Sequence, residues 1–406
     1  MGRTILAMTA MLAALILGSA VALAEARPAE TTDSRAGANP CEPKVIDLGT
    51  LGGRNSAAYE VNDGNWVVGN SETRGGAIHS VLWKSGNVRD LGTLNFSDGE
   101  AQGINESGTI VGTLFNGDPF DENGFPAHAR GFAWKKGEMK RLPTLSGNFS
   151  LTKSVNEKGV MAGSSTLPNG NERATIWRNG KVKNLGTLGG NYSYALGIND
   201  RGQIVGGSAK RRNGPPHAFL WKNGRMRDLG TLGGPASQAN AINNSGRITG
   251  VADLPVYPKS HAAVWENGQV RDIGSLGGNF APGLGINETG QVVGVSEVTR
   301  EEPFHDRGFV WTGGLLLGLP TLGGDFGNAH DINYDGDIVG RSALPSGKEH
   351  ATLYRCALGL NPNAYKVQGT SVSSAGSEAF SVKPSASSQR STDFDRLEPW
   401  FGSARR

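Results

Sequence analysis

Two stretches of the 406-residue chain gather acids, in one case with a histidine, closely enough to do chemistry. Residues 115–127 carry Asp118, Asp121 and Glu122; residues 297–306 carry Glu301, Glu302, His305 and Asp306. Two carboxylates across a cleft suit glycoside hydrolysis, one as acid and the other as base or nucleophile. A histidine beside acids could act as a general base. Asp121, Glu302 and His305 are therefore the catalytic candidates. No positioned nucleophile or metal set accompanies them, and loops of this kind are often merely solvated.

A second set recurs along the chain. Four residues before a repeated aromatic stands a His or Arg: His79, Arg130, Arg173, His217, His261, Arg307 and His350. Such cations could together hold an anionic group. Equally, each could bond a backbone carbonyl or an acid of its own repeat, because a structural contact recurs wherever the repeat does. Their spacing does not suit a metal, and no cofactor is expected. A third set, Phe96, Phe149, Tyr192, Phe280 and Phe326, follows a link that is mostly glycine-rich. Rings there could stack on sugar faces or plug the tops of the repeats.

What must position these residues is a repeat of roughly 44 residues, a period in the range of propeller blades. Its clearest copy, residues 217–234, reads HAFLWKNGRMRDLGTLGG. HAFLW is a short apolar strand, KNG is a turn because Asn and Gly accept positive φ, and RMRDLG returns. TLGG then leads into SQANAIN and RITGVA, two further strands joined by a turn at residues 244–246. The strand-ending aromatic falls at Trp83, Trp134, Trp177, Trp221, Trp265, Trp311 and Tyr354. An Asn follows at Asn62, Asn105, Asn156, Asn199, Asn243, Asn287 and Asn333, and seven residues after each comes a glycine, from Gly69 to Gly340. Four short antiparallel strands per repeat cannot bury both faces alone, whereas sheets stacked radially can. The expected fold is all-β, a seven-bladed β-propeller. In it the aromatics pack between blades, the glycines meet another backbone closely, and each Asn bonds its own turn.

The pattern HAFLW–NG–DLGTLGG–SxAxxIN–GQxVG resembles the HAF repeat, a bacterial extracellular repeat, over residues 44–355. The resemblance implies an extracellular repeat protein and brings no catalytic motif with it. Some copies depart from the pattern. The link into blade two reads LGTLNF, that into blade three LPTLSG, and the return strand of blade six is the apolar run LLLGLP.

Residues 1–24 read as a secretory signal, with Arg3, an apolar run from Ile5, and Ala22-Leu23-Ala24 as a small-x-small cleavage site. The other reading is an uncleaved anchor, since the run is about long enough to span a bilayer. Residues 25–43 read as a linker, 44–356 as the propeller, and 357–406 as a Ser-rich tail too polar to order itself. Sixty-one glycines suit many tight turns. A net charge of +3 argues against a dedicated nucleic-acid binder. The mature protein is expected in the periplasm or outside the cell, without a membrane span, as a monomer.

The array opens with KVIDLGTLGG, a return strand lacking its partner, and ends with HATLYR, a strand lacking its return. Residues 44–49 should therefore pair with residues 349–355 and complete blade seven. Cys41 and Cys356 flank that junction, where the other blades have their NG turn. A disulfide between them would replace the missing turn, with roughly 5 kcal/mol on the chain-entropy scale, less any native strain. Export makes oxidation plausible; two unrelated buried thiols are the alternative.

On the usual propeller path the short turns share one face and the long, varied loops share the other. Loops on a rigid scaffold are where function tends to sit. The expectation is a binding module for an extracellular glycan or a cell-surface protein, at the channel mouth on the long-loop face. Its rivals are a glycan hydrolase or lyase using the acidic loops of blades two and six, and a protein-interaction scaffold. Fold alone does not choose among them.

Overall fold

The structure, a computed structural model, describes residues 44–116, 129–256, 259–298 and 306–355. Blade four shows the plan. Its strands are Ser193–Ile198, Ile204–Ala209, Pro216–Lys222 and Arg225–Asp228, hydrogen-bonded antiparallel in that order. Asn223 and Gly224 turn the last hairpin with φ of 52° and 82°, the double left-handed step that a two-residue hairpin needs. Seven such sheets are present. The first strand of each touches the first strand of the next, and the last of them, Gly327–Ile332, touches the first, Gly52–Val61. The sheets therefore form a closed propeller, with the first strands around the axis.

Blade seven is built from both ends of the domain. Strand Lys44–Asp47 pairs with Glu349–Arg355 in the register Lys44↔Arg355 to Asp47↔Thr352. The missing return strand comes from the N-terminal side, as the out-of-phase array requires.

The core lies between blades. Val81 and Trp83 of blade one pack with Val339 and Leu353 of blade seven, and Phe219 and Trp221 of blade four pack with Ala174 of blade three. A cation six residues after one Trp covers the Trp of the next blade. Arg89 stands 5.1 Å from the Trp134 ring centre, Lys183 5.2 Å from Trp221 and Arg271 5.4 Å from Trp311.

The glycine of the second strand is forced by a bulge in the first. In blade five the register slips between Ala239 and Ala241. A Cβ on Gly250 would lie 1.9 Å from the Gln238 carbonyl oxygen. Gly69 and Gly340 meet the same obstacle at 1.9 and 2.1 Å.

The asparagines do more than close their turns. Asn243 Oδ1 accepts the N–H of Arg247 at 2.9 Å, the bond to its own turn, and its Nδ2 donates to the Asn287 carbonyl at 3.0 Å. The same side-chain donation runs from Asn62 to Asn105, Asn156, Asn199 and Asn243, and from Asn287 to Asn333. Asn333 then donates back to the Asn62 carbonyl at 3.3 Å, across the seam. These amides are buried, so each unmade bond would cost the desolvation of its groups. Only a complete circle satisfies all of them. One residue further on, side-chain acceptors link neighbours around the same face: Glu106 accepts the N–H of Asp63, and Glu157 that of Glu106, both at 2.7 Å.

Candidate functional site

The bulge of the first strand supplies one unpaired residue per blade at the axis, three before each Asn. These residues are Tyr59, Gln102, Lys153, Leu196, Asn240, Leu284 and His330. They differ from blade to blade while the Asn does not. Blades seven, one, two and three present ionisable and amide groups; blades four to six present Leu196, Asn240 and Leu284.

The charged arc is tightly connected. Asn70 donates to the Tyr59 hydroxyl at 3.2 Å and to Glu100 Oε1 at 3.0 Å. Gln102 donates to Glu100 Oε2 at 2.8 Å and accepts from Lys153 Nζ at 3.0 Å. The rings of Tyr59 and His330 meet edge to face, with centres 5.1 Å apart. Arg341, one strand back in blade seven, lies 5.0 Å over Phe326 and pairs with Glu349 at 2.9 Å. Across the channel, the Tyr194 hydroxyl bonds Gln238, which donates to Asn240 at 2.9 Å.

Burial sets the electrostatics. It lowers Lys153 to about 8, opposed by Glu100 and Glu172. It lowers His330 to about 3, helped by the charges of Arg341 and Lys153, so the imidazole is neutral. It raises Glu100, opposed by Lys153, Asn70 and Gln102, and it raises the Tyr59 hydroxyl, helped by Glu100. Shifted groups from four blades converging on one channel mark a candidate binding or reactive site.

Two further carboxyls latch blades together. Glu60 accepts the N–H of Ile104 in blade two, and Asp331 accepts that of Val61 in blade one, both at 3.1 Å. Burial and then Asp331 push Glu60 up, and burial pushes Asp331 up to about 6. A carboxyl raised above its unfolded value keeps its proton longer in the fold. Its contribution is fully present below pH ~4 and is lost as pH rises through about 6. Asp331→Asn keeps an acceptor for Val61 and never ionises. We expect denaturant melts to show wild type losing stability between pH 4.5 and 7.5 more than the variant. At the upper pH the variant should be more stable by about 1–2 kcal/mol, below the full two-unit value because the site is partly solvated. Parallel curves would refute the assignment.

The residues singled out by the repeat lie elsewhere. The His/Arg slot opens the third strand of each blade, two strands out from the axis, and does not converge there. His79, His217, His261 and His350 bond Asp90, Asp228, Asp272 and Asp47 on the outermost strand at 2.7 to 3.1 Å. Arg130 and Arg173 donate to the carbonyls of Ala129 and Glu172, each at 2.9 Å, and Arg173 also to Asn191 at 2.6 Å. Arg307 sits at the same register, opposite Ser296. Of the link aromatics, Phe149 and Phe280 are 5% and 4% exposed and offer no face to a ligand. Phe96 packs on the core between blades one and two, and the Tyr192 hydroxyl donates to the Gly214 carbonyl at 2.9 Å. Phe326, under Arg341, adjoins the channel arc. Asp121, Glu302 and His305 lie outside the described residues, as do Cys41 and Cys356. Among the described residues no three His, Cys, Asp or Glu side chains are grouped as a metal would need.

The channel arc was missed by reasoning from the repeated anchors, yet its signal is in the sequence. It is the position three before each Asn, where Tyr, Gln, Lys and His replace one another.

No protein-family model and no curated protein matches the chain. Solved propellers do match. A puromycin-hydrolyzing peptidase of Mycobacterium tuberculosis is 12% identical with a TM-score of 0.50; the match covers 75% of this chain and 52% of that one. The β-propeller domain of the trilobed protease of Pyrococcus furiosus is 11% identical with a TM-score of 0.49, over 74% and 95%. The Aleuria aurantia lectin, solved with Fucα1-6GlcNAc, is 11% identical with a TM-score of 0.34, over 74% and 91%. At these identities the likeness concerns the fold alone.

Proposed function

We propose that the protein is an exported binding module of the HAF repeat type that holds an extracellular glycan, free or on a cell surface, in its channel at the long-loop end. The observation that carries this reading is the channel wall. That wall carries donors and acceptors (Asn70, Gln102, Lys153, Glu100), with Tyr59 bonded to Asn70 and, across the channel, Tyr194 bonded to Gln238. A sugar offers the complement, hydroxyls that both donate and accept around an apolar ring face. Acids and bases are nearly balanced along the arc, which favours a polar ligand over a strongly charged one. The signal-like residues 1–24 and the repeat pattern support export and the family assignment.

Binding rather than turnover is favoured because Glu100 and Lys153 are engaged with the amides of Asn70 and Gln102, and among the described residues no nucleophile stands with a base and an orienting partner. A glycan array followed by product analysis tests this. The expected result is retention of a defined glycan without cleavage. Turnover abolished by Asp121→Asn or Glu302→Gln would instead make the protein an enzyme of the acidic loops. Absence of any bound glycan would leave a protein-interaction scaffold.

A further inference from the structure

Blade one departs from its siblings at one position on the short-turn face. Four residues after the Asn it carries Trp66, where the other blades have Thr109, Val160, Gln203, Arg247, Gln291 and Asp337. The half-buried indole lies over the turn of blade two, against Gly108, where an added Cβ would come within 2.8 Å of the ring. A groove of about 450 Å³ opens between the two blades, with Trp66 and Trp134 as its aromatic walls and Lys84, Arg89 and Lys136 among its lining. Lys84 Nζ stands 3.4 Å from the Trp66 ring centre, and Arg89 lies over Trp134. Among the described residues none of these three cations has a carboxylate partner.

Cations held on indole faces are fixed in place. Three positive charges around one cleft, without counter-charge, raise the local potential for an anion. We propose that this groove is a second binding site, separate from the channel, for an acidic saccharide of the uronate type. Its carboxylates would meet Lys84, Arg89 and Lys136, and its sugar ring would lie beside the half-buried Trp66, whose indole holds Lys84 in place. The size suits a short oligosaccharide, since ligand pockets run from about 300 to 1,000 Å³. A long polyanion fits less well, because Asp63, Glu106, Glu157 and Asp200 ring the centre of the same face. A nucleic-acid backbone tracking inward would meet these carboxylates.

Calorimetric titration of the whole protein at low salt tests the site, with trigalacturonate, its neutral methyl ester and a single-stranded oligodeoxynucleotide as probes. Trigalacturonate should bind and the ester should not, with affinity falling as salt rises. The exposed double variant Lys84→Gln/Lys136→Gln should weaken binding at least about tenfold. Trp66→Thr, which installs the residue blade two carries there, should also weaken it about tenfold. Lys153→Met in the channel should leave it unchanged, so this site and the channel site stand or fall separately. Absence of trigalacturonate binding, binding unaffected by the double variant, or oligonucleotide bound in its place would overturn the proposal.

Discussion

Replacing Gly250 by alanine is expected to cost more than about 3 kcal/mol, whereas Gly75→Ala is expected to change stability by no more than about 0.5 kcal/mol. The two changes are chemically identical. At Gly250 the new Cβ would lie 1.9 Å from the Gln238 carbonyl oxygen and 2.9 Å from the Ala239 Cα. Both obstacles are backbone, so nothing yields by a rotamer change. To make room the inner strand must move, and that strand carries Asn240 and leads directly into Asn243, which bond the Gly283 and Asn287 carbonyls of blade six. The damage therefore spreads to a neighbouring blade. At Gly75, in an exposed turn, the nearest atom is the Thr73 hydroxyl at 3.8 Å. Chemical denaturation of the two variants beside wild type measures both. Similar stabilities would mean that the bulged strands do not approach as described.

That glycine could be read from the sequence because it recurs in step, and so could the Trp positions, the turn asparagines and the two half-blades at the ends. The features that could not be read depend on the circle. The amide of Asn199 reaches the carbonyl of Asn243, 44 residues away, a contact that exists only once neighbouring blades stand side by side. The channel arc was hidden for a related reason. A repeat draws the eye to what stays the same, and what stays the same is the scaffold. Tyr59, Lys153 and His330 occupy one equivalent position with different chemistry, so they look like noise until the bulge is seen to turn that position towards the axis. The His and Arg slot is regular for a local reason: the four histidines answer an aspartate of the outermost strand, and Arg130 and Arg173 answer backbone carbonyls.

The second large effect is expected at the seam. In blade four, Lys222 and Arg225 are cross-strand partners joined by Asn223 and Gly224. The corresponding partners in blade seven are Arg355 and Lys44, and no peptide joins them. Cys356 follows Arg355 directly, and Cys41 precedes Lys44 by three residues. We propose that a disulfide between them takes the place of the turn. Closing a loop of roughly three hundred residues has a ceiling of about 5 kcal/mol on the entropy model. Cys356→Ser, or reductant added to wild type, should lower the melting temperature by several degrees; for a domain of this size each kcal/mol moves it by roughly 2 °C. Non-reducing peptide mass spectrometry should find one cross-linked pair. Two free thiols in the folded protein would leave the seam held by strand pairing and side chains alone, among them His350 with Asp47 and Asn333 with Asn62.

The proposed function rests on what the bulges bring to the axis, and one titration addresses that directly. The glycan selected by the array is titrated into wild type, Tyr59→Phe and Lys153→Met, with melting curves confirming that each variant is folded. Lys153→Met removes the ammonium facing Gln102 and Glu100, and Tyr59→Phe removes the hydroxyl beside Asn70. If the channel holds the ligand, Lys153→Met weakens binding at least about tenfold and Tyr59→Phe by a smaller factor, as lost hydrogen bonds to charged and neutral groups do. Equal affinity in all three proteins would place the ligand elsewhere and contradict the channel as the binding site.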